Sequence, residues 1–402
     1  MTLCVFEDDF VPHLAPLAST RPAFDLRLAA RTLLETIRDA IPHDALALVV
    51  RSSLAGVTAE AHPEARLGAP ETAALWVSGR FVAHDGPALN AIRRLAADAL
   101  PRALVFDGHV VAAYAPAAST LKSLATLPAE ALDSAHLIGR LWDFNAVLRD
   151  ALAADLPRFV ANASGHPGLH PSAIVANLAQ VHLGTSARVF PGAILNAEAG
   201  WIVLDEGAEV HEGAVVRGPV YVGKGSQVKP LGFVEGSAIG PGCKIGGEVH
   251  SSVFLGSSNK GHSGFVGNAY VGAWCNFGAG TDTSNLRNDY REVEMFDRED
   301  GAYAPTGQQF IGLIFGDHSK CGIGTTFNTG TVVGVGCNLY GAGFHDRHIP
   351  DFSWGEPGAY VPYRFDKFIR VAEAVYQRRG RSMSDAERTL LKHLAEHRLA
   401  YP

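Results

Sequence analysis

The chain has 402 residues, a formal net charge of −7, 47% hydrophobic and 19% charged residues. That length suits two or three domains, and the apolar share can fill a large core. The acidic balance and the scattering of basic residues give no sign of a nucleic-acid or membrane-surface protein, although a local site can still oppose the global charge and take an anionic substrate.

Cys4, Cys243, Cys275, Cys321 and Cys337 are odd in number, and no pair has C-x-x-C spacing. Reduced thiols in a cytoplasm fit this better than a disulfide frame or a zinc site. Glu7, Asp8 and Asp9 stand near the start, and no apolar run approaches about 18 residues, so neither a signal peptide nor a membrane span is expected.

Residues 1–155 read as an α/β domain. Thr2–Phe6 and Ala45–Val50 are apolar runs of strand type, Ala29–Ile41 and Pro87–Leu100 carry helical patterns, and Ala103–Phe106 and Val110–Tyr114 are further strands. Such alternation predicts a sheet covered by helices. The Pro- and Gly-containing stretch 156–170 reads as a linker.

A different period governs 171–354. Leu204, Val210, Val216, Val222, Val228 and Val234 are each six apart, and Ile202, Ala208, Ala214, Val220, Ser226 and Gly232 run beside them. A triangular solenoid produces this period, with about six residues per flat side. The aliphatics point inward, and Gly207, Gly213 and Gly225 accept the corner angles. A left-handed parallel β-helix is predicted. The pattern resumes at Ile323, Thr329 and Val335, each followed by glycine, and Thr281–Gln309 between the blocks reads as a loop thrown out of the rod. In 355–402, Tyr363–Arg379 has helical spacing, and Ser384 with Glu387 forms a capping box, so two C-terminal helices covering or docking on the rod are expected.

The segments Asn259-Lys-Gly-His262, Phe265-Val-Gly-Asn-Ala-Tyr-Val-Gly272, Asn276-Phe-Gly-Ala-Gly-Thr281 and Asn285, with Gly218-Pro-Val-Tyr-Val-Gly223 and Val228-Lys-Pro230 upstream, carry a resemblance. They are similar to the acetyltransferase half of the bifunctional N-acetylglucosamine-1-phosphate uridyltransferase/glucosamine-1-phosphate acetyltransferases. The similarity covers most of 170–345 and suggests a bacterial branch with an altered N-terminal half. It implies an acetyl-CoA-dependent N-acetyltransferase acting on an amino-sugar phosphate, a cytoplasmic homotrimer, and His262 as general base. A neutral imidazole with an ordinary pKa near 6.5 suits that task.

The same resemblance makes Asn285 a sugar-binding or base-orienting residue and assigns Asn276, Lys229, Arg291 and Lys260 to substrate binding. Two positions depart from the family. Phe265 replaces a tyrosine that contacts a substrate hydroxyl, and His250 replaces a substrate lysine, which leaves the acceptor sugar and acyl group open.

For the N-terminal domain the resemblance implies a sugar-nucleotidyltransferase fold. Leu17-Ala-Ser-Thr-Arg-Pro22 echoes the end of its phosphate loop, but Glu7-Asp-Asp-Phe-Val replaces the upstream glycines and no lysine follows Pro22. Three readings stay open. The domain is an active enzyme using Thr20 and Arg21 with Asp85 or Asp107 on Mg²⁺, a nucleotide-sugar-binding relic, or a structural cap. For the whole chain the competing readings are a scaffold or nucleotide-sugar sensor trimer, and a zinc enzyme built from His182, His211, His250, His262, His318, His345 and His348, none of which pair at the expected ligand spacing.

Overall fold

The computed structural model describes residues 1–84 and 86–398, and its contacts divide into two compact units. Met1–Leu26, Arg31–Arg140 and Ser384–Leu391 form the first; Arg27–Ala30, Leu141–Met383 and the chain from Lys392 form the second.

The first unit holds a seven-stranded sheet of β1 (Thr2–Phe6), β2 (Ala45–Val49), β3 (Arg66–Leu67), β4 (Ala74–Ser78), β5 (Arg102–Phe106), β6 (His109–Ala115) and β7 (Ala129–Ala131), in the order β3-β2-β1-β4-β6-β5-β7. The central strands are parallel, and β6 runs antiparallel to both β4 and β5. Leu3, Val5, Leu75 and Val77 enter one apolar cluster, while Cys4, Phe6, Ala74 and Trp76 enter another. Alternate residues thus serve opposite faces, and a sheet covered on both sides needs uninterrupted apolar strands. The helix expected from Ala29 begins at Leu33, because Thr32 and Glu35 form a reciprocal capping box there. Strand β4, absent from the sequence reading, lies at the centre of the sheet.

In the second unit a helix at Asp143–Asp155 leads into the rod. Part of the stretch read as linker is the rod's first coil: Asn162 and His170 donate backbone N–H groups to Val181 and Val189, and Ala163 is buried in the rod core. Three sheets of ten, six and nine strands make the rod's faces, all parallel except for the antiparallel strand Ala359–Pro362 that ends the ten-stranded one. The row Leu204, Val210, Val216, Val222, Val228, Val234 is fully buried, as its spacing requires. Each such side chain contributes roughly 1.5–3 kcal/mol of burial, so stacking holds the rod together rather than any single coil.

Buried hydroxyls bind neighbouring coils. Ser226, Ser258 and Ser319 each donate to a carbonyl of the next coil, from Gly240, Gly272 and Gly334, and accept from the backbone N–H of Cys243, Cys275 and Cys337. All five cysteines are buried free thiols, and burial pushes Cys243 up to about 11 and Cys337 up to about 12.

The second repeat block needs a correction. Ile323 is 84% exposed, and the inward row is Cys321, Phe327, Val333 and Leu339. In the first block the corner glycine follows the inward residue by three positions; the same offset from Gly324, Gly330 and Gly336 points to this row. The excursion also starts later than Thr281, because Asp282–Thr283 still pairs with Thr326–Phe327. Beyond it stands a hairpin, Glu294–Asp297 against Ala302–Pro305, with Val293 and Met295 buried.

The helix Phe365–Arg378 lies along the flank of the coils. Tyr376 stacks on Trp274 at 4.0 Å, Phe368 meets Phe352 edge-on, and the Arg379 guanidinium donates to Gly242 O, Ser257 O and Asn259 Oδ1. Ser384 and Glu387 form the expected capping box of the last helix, Asp385–Glu396. Among the described residues no helix is long and apolar enough to cross a membrane.

The corrected inward row has a mutational signature. Phe327→Ala should lower stability by about 3–5 kcal/mol, whereas Ile323→Ser should change it by no more than about 0.5 kcal/mol. Thermal unfolding of the two variants checks this, and a large loss for Ile323→Ser would restore the original reading.

Candidate active-site groove on the rod

Most coils turn the corner after the ten-stranded face with four residues. Lys229–Gly232, Gly261–Gly264 and Gly278–Thr281 are three such corners. In the coil between the first two, only Gly246 and Gly247 join Lys244–Ile245 to Glu248–His250. Gly247 has φ +68°, and a Cβ there would lie 2.6 Å from Gly264 O, so glycine alone fits this tightened bend. His262 and Ser263, one coil on, therefore project past a notch.

The His262 corner borders a cavity of about 360 Å³ lined by Lys229, Lys244, Asn259, His262, Asn276 and Ile323, among others. Small residues, Gly261, Gly278 and Ala279, form its wall beside the imidazole. The His262 side chain is exposed and has no hydrogen-bond or ring partner among the described residues. It can therefore accept a proton from a bound molecule without first breaking an internal bond. Asn276 stands in register with Asn259, whose Nδ2 donates to its Oδ1 at 3.4 Å.

Of the residues singled out from the sequence, the groove gathers His262, Asn276 and Lys229. Lys260 does not face it. Its side chain is fully buried, and Nζ donates to His262 O and Ser263 O at 2.8 Å and to Gly246 O at 3.5 Å. The assignment of Lys260 to substrate binding is thus corrected: it braces the protruding turn from inside. Burial pushes its pKa down to about 8, a shift that nearby Asp282 opposes.

Asn285 and Arg291 lie elsewhere on the same chain. Asn285 Nδ2 donates to Asn268 Oδ1 at 2.8 Å beside the Phe265 ring, on the adjoining face of the rod. Arg291 is exposed in the excursion, where it and Arg287 share Asp289 and hold its carboxyl well below the usual carboxylate range. His250 packs against Phe233 and Phe265. Sequence reading missed Lys244 and Asn259. Their signal was present in the strand register that sets Lys244, Asn259 and Asn276 side by side.

Most other rod histidines are packing partners: His182 meets Phe159, His211 stacks on Phe190, His318 on Trp274 and Tyr376, His345 on Phe327, and His348 on Phe296. Burial pushes His345 and His348 down to about 4.

In the first unit, the loop after β1 is built around a carboxylate. Glu7 is buried and accepts from the backbone N–H groups of Ala23 and Arg51 and from the Arg51 guanidinium. Asp8 pairs with buried Arg80. Thr20 and Arg21 are half-buried on this loop, with Arg21 Nη2 3.4 Å from Thr20 Oγ1. Asp107 is the exposed first residue of the Asp-Gly turn joining β5 to β6, with φ 48°. Both features lie at the carboxyl end of the parallel strands, where open α/β sheets bind ligands. Asp107 could supply one of the one or two carboxylates that Mg²⁺ takes beside substrate phosphates. Asp85 lies outside the described residues.

Residues 3–164 match a family model described as sugar nucleotidyl transferase. A bifunctional sugar-1-phosphate nucleotidylyltransferase/acetyltransferase from Sulfurisphaera tokodaii is 32% identical over 164 residues, 39% of each chain. The bifunctional protein GlmU of Azoarcus sp. is 29% identical over 33% of this chain and 32% of its own. That of Methylococcus capsulatus is 26% identical over 50% and 43%. Each match spans less than half of the relative's length. A solved UDP-N-acetylglucosamine acyltransferase is 14% identical, covers 57% of this chain and 90% of its own, and superposes with a TM-score of 0.32.

The depressed Lys260 pKa fixes the sign of a pH effect. Between about 8 and the ordinary lysine value near 10.4, the unfolded chain carries more protons than the folded one, so this group makes stability rise with pH across that window. Thermal midpoints between pH 7.5 and 10.5 should rise less steeply in Lys260→Met than in the parent protein. Equal slopes would show that the amine is not responsible.

Proposed function

With relatives that join sugar-1-phosphate nucleotidyl transfer to acetyl transfer as the premise, we propose that the rod is an acetyl-CoA-dependent N-acetyltransferase acting on an amino-sugar phosphate of the glucosamine 1-phosphate kind. The observation that carries the reading is the unpartnered His262 imidazole beside a cation-lined cavity. The acceptor amine attacks the thioester carbonyl carbon, and His262 takes the proton that the nitrogen sheds. The tetrahedral intermediate then collapses, the C–S bond breaks, and the imidazolium returns the proton to the leaving thiolate. The products are the N-acetyl sugar phosphate and free coenzyme A. Lys229 and Lys244 meet the acceptor's anionic phosphate as point charges, and Asn276 offers both a donor and an acceptor to the sugar. Phe265 cannot make the hydroxyl contact that a tyrosine would.

In this reading the protein is a cytoplasmic homotrimer. Asn285 and Arg291 sit outside their own chain's groove, which is consistent with a neighbouring copy completing the site. The first unit handles the sugar nucleotide through Thr20 and Arg21, with Asp107 on Mg²⁺. Glu7 already takes two loop amides and the Arg51 guanidinium, so those donors are not left bare for a triphosphate.

The test mixes the protein with acetyl-CoA and glucosamine 1-phosphate and follows free thiol. His262→Ala should lower turnover at least about a hundredfold with an unchanged thermal midpoint. Turnover retained in this variant would remove His262 from the mechanism, and inactivity of the parent protein toward a panel of amino sugars would favour a binding or scaffold role.

A further inference from the structure

A second cavity, of about 390 Å³, adjoins the first on the same face of the rod and is lined by Lys244, Asn259, Trp274, Asn276, Lys320, Arg378 and Arg379, among others. No acidic residue lines it. Among the described residues none of its four cations is paired with a carboxylate. Arg379 spends its guanidinium on Gly242 O, Ser257 O and Asn259 Oδ1, and Lys320 donates to His318 O at 2.9 Å. Arg381 adds a fifth positive charge, 5.2 Å over the Trp274 ring. Four cations placed around one concavity without counter-charge repel one another, and an anion relieves that repulsion.

The cavity is not isolated from the imidazole. Lys244, Asn259 and Asn276 line both cavities, so the two form one trough across the face. The register makes its floor continuous: Lys244 lies beside Asn259, Asn259 beside Asn276, and Asn276 beside Lys320. One edge of the trough is the His262 corner, and the other is the corner at Ser257 where Arg379 docks. Five residue steps separate Ser257 from His262, at most roughly 16 Å of extended chain. That is the scale of a pantetheine arm.

We propose that the cationic end of this trough is a phosphate-ester subsite, which holds a phosphate or diphosphate carried by one of the two substrates while the reacting group lies at His262. The anion site stands on its own geometry; that its anion belongs to a substrate rests on the transferase reading. Arg378 is exposed on the flanking helix, so its replacement should leave the fold intact.

Titration calorimetry of the full chain with inorganic pyrophosphate, coenzyme A, pantetheine and glucosamine 1-phosphate, in the parent protein and in Arg378→Gln, tests this. Pyrophosphate affinity should fall about tenfold, the cost of one charge-assisted contact. An equal loss for coenzyme A, with pantetheine unaffected, assigns the subsite to the thioester carrier. A loss confined to pyrophosphate and glucosamine 1-phosphate assigns it to the sugar. If Arg378→Gln and a second variant, Lys320→Met with a parent-like thermal midpoint, bind all four compounds as the parent does, the proposal fails. A lost pyrophosphate affinity in a protein without acetyl transfer would leave the anion site standing and overturn the transferase reading instead.

Discussion

Each coil of the rod must return above its own starting point, and that closure condition governs the second unit. Because successive strands hydrogen-bond in parallel register, a side chain at a given step of one coil is set beside its counterpart on the next. Inward, this stacks Leu204 through Val234 and later Cys321 through Leu339 into continuous apolar rows. Outward, it aligns Gln227, Lys244, Asn259, Asn276, Lys320 and Asn338 as a polar ladder, although a long excursion separates Asn276 from Lys320 in sequence. The polar surface follows from the same hydrogen bonds that make the core.

This explains what was legible in the amino-acid order. A row of aliphatics at unbroken spacing of six announces itself, and His262 stands in a local motif whose neighbours are contiguous. Ile323 misled because its apolar identity outweighed its position relative to Gly324, where the offset set by Leu204 and Gly207 gives the correct phase. Lys260 misled in the opposite sense. A lysine reads as a surface charge, yet this one is anchored inside by three carbonyls. Lys320, Arg378 and Arg379 were not legible as part of a site, because their convergence depends on the stacking across the excursion and on how the flanking helix docks. In the first unit β4 escaped notice, since a short apolar run cannot be told from a helix fragment by periodicity alone.

Residues 3–164 match a sugar nucleotidyl transferase model, and the first unit is built on a seven-stranded sheet. At the end of β1, Glu7 gathers amides and a guanidinium, and Asp8 engages a buried arginine. A loop organised by its own carboxylates is already neutralised from within, which differs in kind from glycine-rich backbone left bare for phosphate. Burying Glu7 without Arg51 would leave an uncompensated charge, so the pair constrains this loop as firmly as any apolar contact.

The clipped bend at Gly246–Gly247 has a consequence for how selectivity can change. Neither residue carries a reactive group, and Gly247 admits no side chain without collision. Lengthening that bend to match its neighbours would crowd the turn that carries His262 while leaving every side chain that lines the cavity in place. The size of molecule admitted beside His262 would therefore change with insertions at a silent corner of the spool, independently of the side chains that meet it.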